Sequence, residues 1–558
     1  MRRGIFAGIG MTFALGGCIL IDTYQSDTYK PQETSSASSS STSTGMGGAG
    51  GLAGQGGATS QGGNGGMAGM AGMAGMGGMG GAVEPPGTVE ICGNDIDEDA
   101  SGTTCPLHVA TWNARFGDQA MQRARRVVLT SAASEILFGG DYDGLINIGS
   151  SMNPITVADG TGADKYQAFV ARLGSDATPK WILHDGLVNQ GHAADIVVYE
   201  IGSDTYWTGA RFDRANVTKI KSMGSVDWTT TAFANAPGSR GSAVALAAMG
   251  SQLYVAGTVT GSGTFDCAEV PKPAYNVGSS SALFLAAINP SDGKCIWAEI
   301  YAGGDVDPGS VSLKYFGGSP VIAGTYRTPI SGPGWPDVTM GGSGIFFLAA
   351  DPTTGTISKS RGYVTAGAGE INVRRMQVMT TAKGNLFVTG SFRGKFATNL
   401  GVMDPISTSA DNAVDAFVMS VNSTSNFDVQ WINRFGGPNI QEGTGLAAMN
   451  GIVYATGISY GPMSPDPATT KGQMCNPNEG KCMYWIKMAG VDGTVAWAEP
   501  IGSKDFSANP IIDVAMNDTA VVLAGGWSQP IDFGDGIKKA VSGNLDIFVA
   551  SYDAAKLP

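Results

Sequence analysis

Gly384-Asn385-Leu386-Phe387-Val388-Thr389-Gly390-Ser391-Phe392-Arg393-Gly394, followed downstream by Asp415-Ala416-Phe417-Val418, is the passage on which the fold turns. It is a short β-rich run that stops at a glycine, and it recurs at Ile136–Gly140, Thr205–Gly209, Leu253–Gly257, Pro320–Gly324, Val453–Gly457 and Val521–Gly525. The closing glycines are 69, 48, 67, 66, 67 and 68 residues apart, so one unit is short and the rest are regular. A second phrase follows each one: Ala168–Ala171, Leu283–Ala286, Phe346–Ala349, Ala416–Met419, Met483–Ile486 and Ile547–Ala550, with Val217–Ile220 as the weakest match in the short unit. A third element is a tryptophan, at Trp112, Trp181, Trp228, Trp297, Trp431 and Trp497; the gap between the fourth and fifth is two periods, so a slot near Ser358 has lost its indole.

Another apolar run, such as Val127-Val128-Leu129 or Ile196-Val197-Val198, lies ahead of each glycine phrase. Four short strands per unit, rich in Val, Ile and aromatics and bounded by glycine, predict an all-β fold: a seven-bladed β-propeller over 107–558. The domain opens on Trp112-Asn113-Ala114-Arg115-Phe116-Gly117, which mirrors Trp431-Ile432-Asn433-Arg434-Phe435-Gly436, whereas the seventh unit ends without such a phrase. The N- and C-terminal strands are therefore expected to pair and close one blade, leaving no exposed sheet edge. The repeated glycines are expected at turns of positive φ and where neighbouring sheets approach closely.

These phrases resemble the SBBP-type β-propeller repeat of bacterial surface proteins over about residues 109 to 553, with the clearest match at Gly384–Gly394. The resemblance implies an extracellular propeller and no fixed activity. The N-terminus resembles a bacterial lipoprotein: Arg2 and Arg3 precede a short apolar stretch that ends in Leu15-Gly16-Gly17-Cys18. That resemblance implies a signal peptide over 1–17, lipidation of Cys18 and, with Ile19 rather than Asp after it, the outer membrane and cell surface of a Gram-negative bacterium. Acyl chains would hold it there, at about 0.8 kcal/mol per buried CH₂.

Residues 18–88 read as a disordered Gly/Ser/Met-rich tether. Gly45 to Gly87 holds 20 of the chain's 84 glycines in 43 residues, and no periodicity could bury a face. A flexible chain of this length reaches on the order of 45 Å. Apart from Cys18 there are six cysteines, Cys92 with Cys105, Cys267 with Cys295 and Cys475 with Cys482 being the sequence-local pairs; in an exported chain disulfides are the default reading. Within 89–106, Asp95, Asp97, Asp99 and Ser101 alternate as a loop wrapping a hard cation such as Ca²⁺ would require, and the segment resembles the short Asp-rich, Cys-flanked metal-binding motifs of bacterial surface proteins. It lacks the bidentate Glu of an EF-hand, Pro106 standing at that place.

A formal charge of −13 leaves no basic surface for polyphosphate and argues against a nucleic-acid partner. Only three histidines exist, His108, His184 and His192, and no nucleophile elbow, zinc-protease, P-loop or dinucleotide motif appears. Loops between each tryptophan strand and the next unit should gather at one mouth of the channel, where Arg123, Arg125, His192, Arg240, Asp305 and Glu442 are the candidate ligand contacts. Asp141-Tyr142-Asp143-Gly144 reads as hairpin turn chemistry. The leading expectation is a monomeric, membrane-anchored binding module for a protein or glycan, with no cofactor required beyond the Ca²⁺ of the loop. The alternatives are an extracellular hydrolase or lyase using mouth carboxylates such as Asp305 with Asp307, and an architectural envelope component.

Overall fold

The computed structural model describes residues 108–557 apart from short stretches, the longest being 185–195, 329–342 and 399–412. Cys18, the tether, Cys92, Cys105, the Asp95–Ser101 loop and His192 lie outside the described residues. Among the described residues there is no α-helix and hence none long and apolar enough to cross a membrane; antiparallel strands are joined by turns and two 3-10 segments, Pro308–Ser310 and Ala554–Lys556.

Strand pairing follows the repeat. Unit 1 comprises Gln122–Leu129, Ile136–Tyr142, Gln167–Leu173 and Pro179–His184, and unit 2 Ile196–Ile201, Asp204–Arg211, Arg214–Ile220 and Val226–Thr231. Unit 3 comprises Arg240–Met249, Gln252–Phe265, Ala274–Ile288 and Cys295–Tyr301, with Phe233–Asn235 added beside its second strand. Units 4 and 5 share one long strand, Ile357–Met379: it is the last strand after Ser312–Phe316, Ser319–Tyr326 and Gly344–Ala350, and the first before Asn385–Phe396, Asp415–Asn422 and Asp428–Phe435. Unit 6 is Gln441–Met449, Ile452–Ser459, Cys482–Ala489 and Val495–Ile501. Unit 7 is Ile511–Met516, Ala520–Trp527 and Asp546–Asp553, and its fourth strand is Trp112–Phe116 from the other end of the domain, paired from Trp112 opposite Ser551 to Phe116 opposite Ile547. Unit 2 is short because only residues 212–213 separate its second and third strands.

The apolar runs are continuous rather than alternating because both faces of each sheet are covered; every residue of Ile136–Tyr142, Gln167–Leu173 and Gly344–Ala350 is buried. Each buried Val, Leu, Ile or Phe side chain contributes about 1.5–3 kcal/mol. The core is not one mass but seven clusters, one between each unit and the next. The seventh packs Val522, Ala524 and Val549 of unit 7 against Val127, Phe138 and Ala171 of unit 1. First strands touch in the same order, and that of unit 7 also touches that of unit 1. A linear stack of seven has six interfaces; here the contacts return to their beginning.

The tryptophans latch successive units. Nε1 of Trp181, Trp228, Trp297 and Trp431 donates to the carbonyls of Ser222, Pro290, Pro352 and Gly490, at 3.0, 3.3, 3.3 and 3.1 Å, each in the third-to-fourth hairpin of the next unit. Trp112 does the same from unit 7 to Ser175 of unit 1 at 2.6 Å. In unit 4, where the indole is missing, Lys359 Nζ donates to the Ser423 carbonyl at 3.2 Å. The hairpins receive these rings at glycines of positive φ, for example Gly293 (+73°) against Trp228 and Gly355 (+77°) against Trp297. The phrase-closing glycines have a different cause from the one expected. Gly140, Gly257, Gly390, Gly457 and Gly525 do not have positive φ; a Cβ on any of them would collide with a first-strand carbonyl of the same sheet. At Gly257 it would meet the Ser242 carbonyl and come within 2.8 Å of the Phe284 ring. The close approach is between strands of one sheet, not between sheets.

Cys267–Cys295 and Cys475–Cys482 are disulfides, and each ties down the connection between second and third strands of its unit. Closing a loop of 28 residues is worth roughly 3–4 kcal/mol in the chain-entropy account. Gly257→Ala is expected to lower unfolding stability by about 3 kcal/mol or more, because neither carbonyl nor ring can give way. Gly309→Ala, whose new methyl group would meet Asp307 Oδ1 at an ordinary 3.6 Å, should change it by less than about 0.5 kcal/mol; denaturant titration of both variants checks the contrast.

Candidate functional site

The first strands of all seven units line one cavity of about 160 Å³. Val128, Tyr199 and Ala245 come from units 1 to 3, Leu313 and Gln377 from units 4 and 5, and Ala447 and Met516 from units 6 and 7. Against this mostly small or apolar wall stand four cations: Arg126 of unit 1, Lys314 of unit 4, and Arg374 and Arg375 of unit 5.

Consecutive residues line the cavity on several strands, Val127 with Val128 and Leu313 with Lys314 as well as Arg374 with Arg375. In unit 5 the register also shifts between Val373 and Arg375: Val373 faces Gly390, Arg375 faces Thr389, and Arg374 is the extra residue of a β-bulge. Units 1, 3 and 6 carry the same irregularity between Ala124 and Arg126, Ala243 and Ala245, and Gly443 and Gly445.

No carboxylate lines the cavity among the described residues. The nearest counter-charge is Asp513 of unit 7, fully buried in the wall: its Oδ2 accepts the Val127 amide at 3.1 Å and lies 3.7 Å from Arg375 Nη2. The four cations gather inside a chain whose net charge is −13. Lys314 lines the cavity half-buried and makes no hydrogen bond and no ion pair within 4.0 Å to a described residue. Burial, reinforced by the positive charge of Arg375 and of Arg126 and opposed by Asp513, pushes its ammonium down to about 7.

The candidates expected from the sequence lie elsewhere. Arg123 and Arg125 are brought together by Asp141: Arg123 donates from Nε at 3.1 Å and from Nη2 at 2.5 Å to Oδ2, and Arg125 pairs with Oδ1. Burial alone would raise the Asp141 carboxyl; the Arg125 and Arg123 charges outweigh it and hold it below the usual carboxylate range. Asp141 is therefore a fully buried strand residue and not part of the turn; the turn is Asp143-Gly144, with Gly144 at φ +79°. Arg240 is exposed at the start of its strand. Asp305 Oδ1 accepts the Ser281 amide at 3.1 Å, and Asp307 accepts the Gly309 amide at 2.9 Å and pairs with Arg327 at 2.9 Å, so both carboxylates are committed to holding their loop. Glu442 is partly buried at the start of the first strand of unit 6. Neither Arg240, Asp305 nor Glu442 bonds to another of these candidates. His184 is exposed, 3.2 Å from Gln167 Oε1, while His108 is buried, its Nδ1 2.8 Å from Glu499 and its ring 4.4 Å from that of Trp497.

Asp415 is raised to about 6 by burial, against the opposing charge of Arg434 at 3.4 Å. Asp546 of unit 7 holds Arg115 at 3.7 Å from the equivalent position, which marks this pair as part of the repeat's framework. Among the described residues no three His, Cys, Asp or Glu side chains gather as a metal site.

Sequence reasoning missed the four cavity cations. The signal available was the doublets Arg125-Arg126 and Arg374-Arg375 and the isolated Lys314 inside runs otherwise fit for buried strands.

No family model and no curated protein matches the chain. Solved structures similar to it include a protein of unknown function from Dyadobacter fermentans (9% identity, TM-score 0.35, 80% of this chain and 99% of that one). Others are the WD40 domain of SCAP from fission yeast (8%, 0.32, 79% and 98%) and a polysaccharide lyase, an ulvan lyase (9%, 0.30, 76% and 77%). Likenesses at these TM-scores carry no argument here.

A lysine whose ammonium is held at about 7 in the fold against 10.5 outside it binds fewer protons folded than unfolded between those values, so its contribution to stability rises with pH across that window. Lys314→Met removes the cost of the buried charge. The variant is expected to melt a few degrees above the parent at pH 6, with the gap narrowing by pH 9, in paired thermal scans.

Proposed function

We propose that this chain is a membrane-anchored, cell-surface seven-bladed β-propeller that acts as a binding module for a protein or glycan. The ring is supported by the seventh hydrophobic cluster, by the pairing of Trp112–Phe116 with Asp546–Asp553, and by one cavity lined from every unit. The single observation that favours binding is the set of four cations lining that cavity: keeping like charges together costs stability, which a scaffold alone has no use for. The hydrolase alternative draws no support from Asp305 and Asp307, each already engaged in shaping its loop.

Anchoring rests on Arg2, Arg3 and the Leu15–Cys18 sequence, with the glycine-rich tether as spacer and the Asp95, Asp97, Asp99 and Ser101 segment as a Ca²⁺-binding loop. The two disulfides suit an oxidising compartment outside the cytosol.

Cys18→Ser is expected to abolish incorporation of labelled palmitate and to release the protein from the membrane fraction; a variant still labelled and sedimenting with membranes would remove the anchor. On protein and glycan arrays the chain from residue 107 should give ligands that saturate, and a screen of both without one would count decisively against a binding module.

A further inference from the structure

We infer that the cavity between the first strands is a binding site for a small oxyanion, a carboxylate, sulfate or phosphate group, held between Lys314 of unit 4 and Arg374 of unit 5. The inference deepens the binding-module reading and rests on it for the ring that encloses the site.

Lys314 and Arg374 both line the cavity, and neither has a hydrogen bond or ion pair to a described residue. Both are half-buried; an ammonium or guanidinium drawn out of water without a partner is costly, so such groups are normally paired. An oxyanion between them supplies acceptors to both: the guanidinium fork suits two oxygens at once, and the ammonium acts as a point charge. Arg126 and Arg375 add positive field from either side, and Asp513 is drawn off by the Val127 amide and Arg375. Gln377, whose amide can donate, lines the same wall.

Size narrows the class. A dry cavity of about 150 Å³ admits a molecule the size of benzene. A space of about 160 Å³ therefore takes sulfate, phosphate or a short dicarboxylate, or one acidic group of something larger, and not a folded polymer.

The charged groups acting on Lys314 are Arg375, Asp513 and Arg126, with Arg374 and Tyr199 lining the same cavity, and over pH 6 to 9 it is the lysine that changes charge among the cations. With its ammonium near 7 in the empty cavity, raising the pH discharges it and weakens anion binding; a bound anion in turn raises its pKa.

The test is calorimetric titration of the purified full chain with sulfate, whose charge is constant from pH 6 to 9, and with succinate, at ionic strength fixed with chloride. Saturable one-to-one binding is expected at pH 6, about tenfold weaker at pH 9, and at least tenfold weaker in Arg374→Gln and in Lys314→Met, both first checked by melting. If Lys314→Met does not fold, Lys314→Gln takes its place. Heats that follow ionic strength alone, or affinities unchanged in both variants, overturn the site. An array ligand that binds the parent and both variants equally, with no sulfate or succinate bound, removes the anion site and leaves the binding module standing. Glucuronate against a uronate oligosaccharide then separates a free acid from the acidic group of a glycan, and either one binding supports the site.

Discussion

Among the described residues, each of the seven unit sheets buries apolar side chains against the unit before it and the unit after it, and that constraint governs the rest. Such a sheet is stable only between two others, so no unit can stand at an end of the series without leaving one face bare to water. Seven clusters for seven units satisfy the condition, and the cluster joining Val522 and Val549 to Val127 and Phe138 is the one a linear stack would lack. The strand Trp112–Phe116, detached from its own unit by the whole length of the domain, answers the same need at the sheet edge. A bare edge there would present unpaired amides and carbonyls to any passing chain.

The repeat's recurring residues serve that stacking in separable ways. Indoles on fourth strands donate to hairpin carbonyls of the next unit, each hydrogen bond worth on the order of 1 kcal/mol and each fixing the stagger between sheets. Where unit 4 lacks the indole, Lys359 reaches the same hairpin, so the latch survives a change of residue. Glycines divide into those that accept an indole at positive φ and those that give way to a first-strand carbonyl. Both kinds look alike in the sequence, so spacing alone does not separate them.

Framework and site meet along the first strands. Arg374, the extra residue of the unit 5 bulge, lines the cavity beside Arg375, and the equivalent bulge in unit 1 lies beside Arg126. A net charge of −13 gave no hint of a basic interior, because a sum over the chain carries no positions. The mouth residues picked from loop spacing fared differently: Arg123 and Arg125 proved to be clamps on a buried Asp141, since an arginine beside a strand carboxylate looks the same in sequence whether it faces ligand or core.

The sequence by itself determined the all-β class, the four-strand unit with its period, the pairing of the two ends and the two local disulfides within the described residues. All of these rest on spacing along the chain, which a linear repeat expresses directly. Tertiary structure alone decided which charges meet, because Arg126, Lys314 and Arg374 stand on three different units, far apart in sequence, and are brought together only when first strands pack side by side. It also decided which carboxylates are spent on the framework, Asp141, Asp305 and Asp307 among them, since a hydrogen-bond partner is a property of position in space and not of residue type.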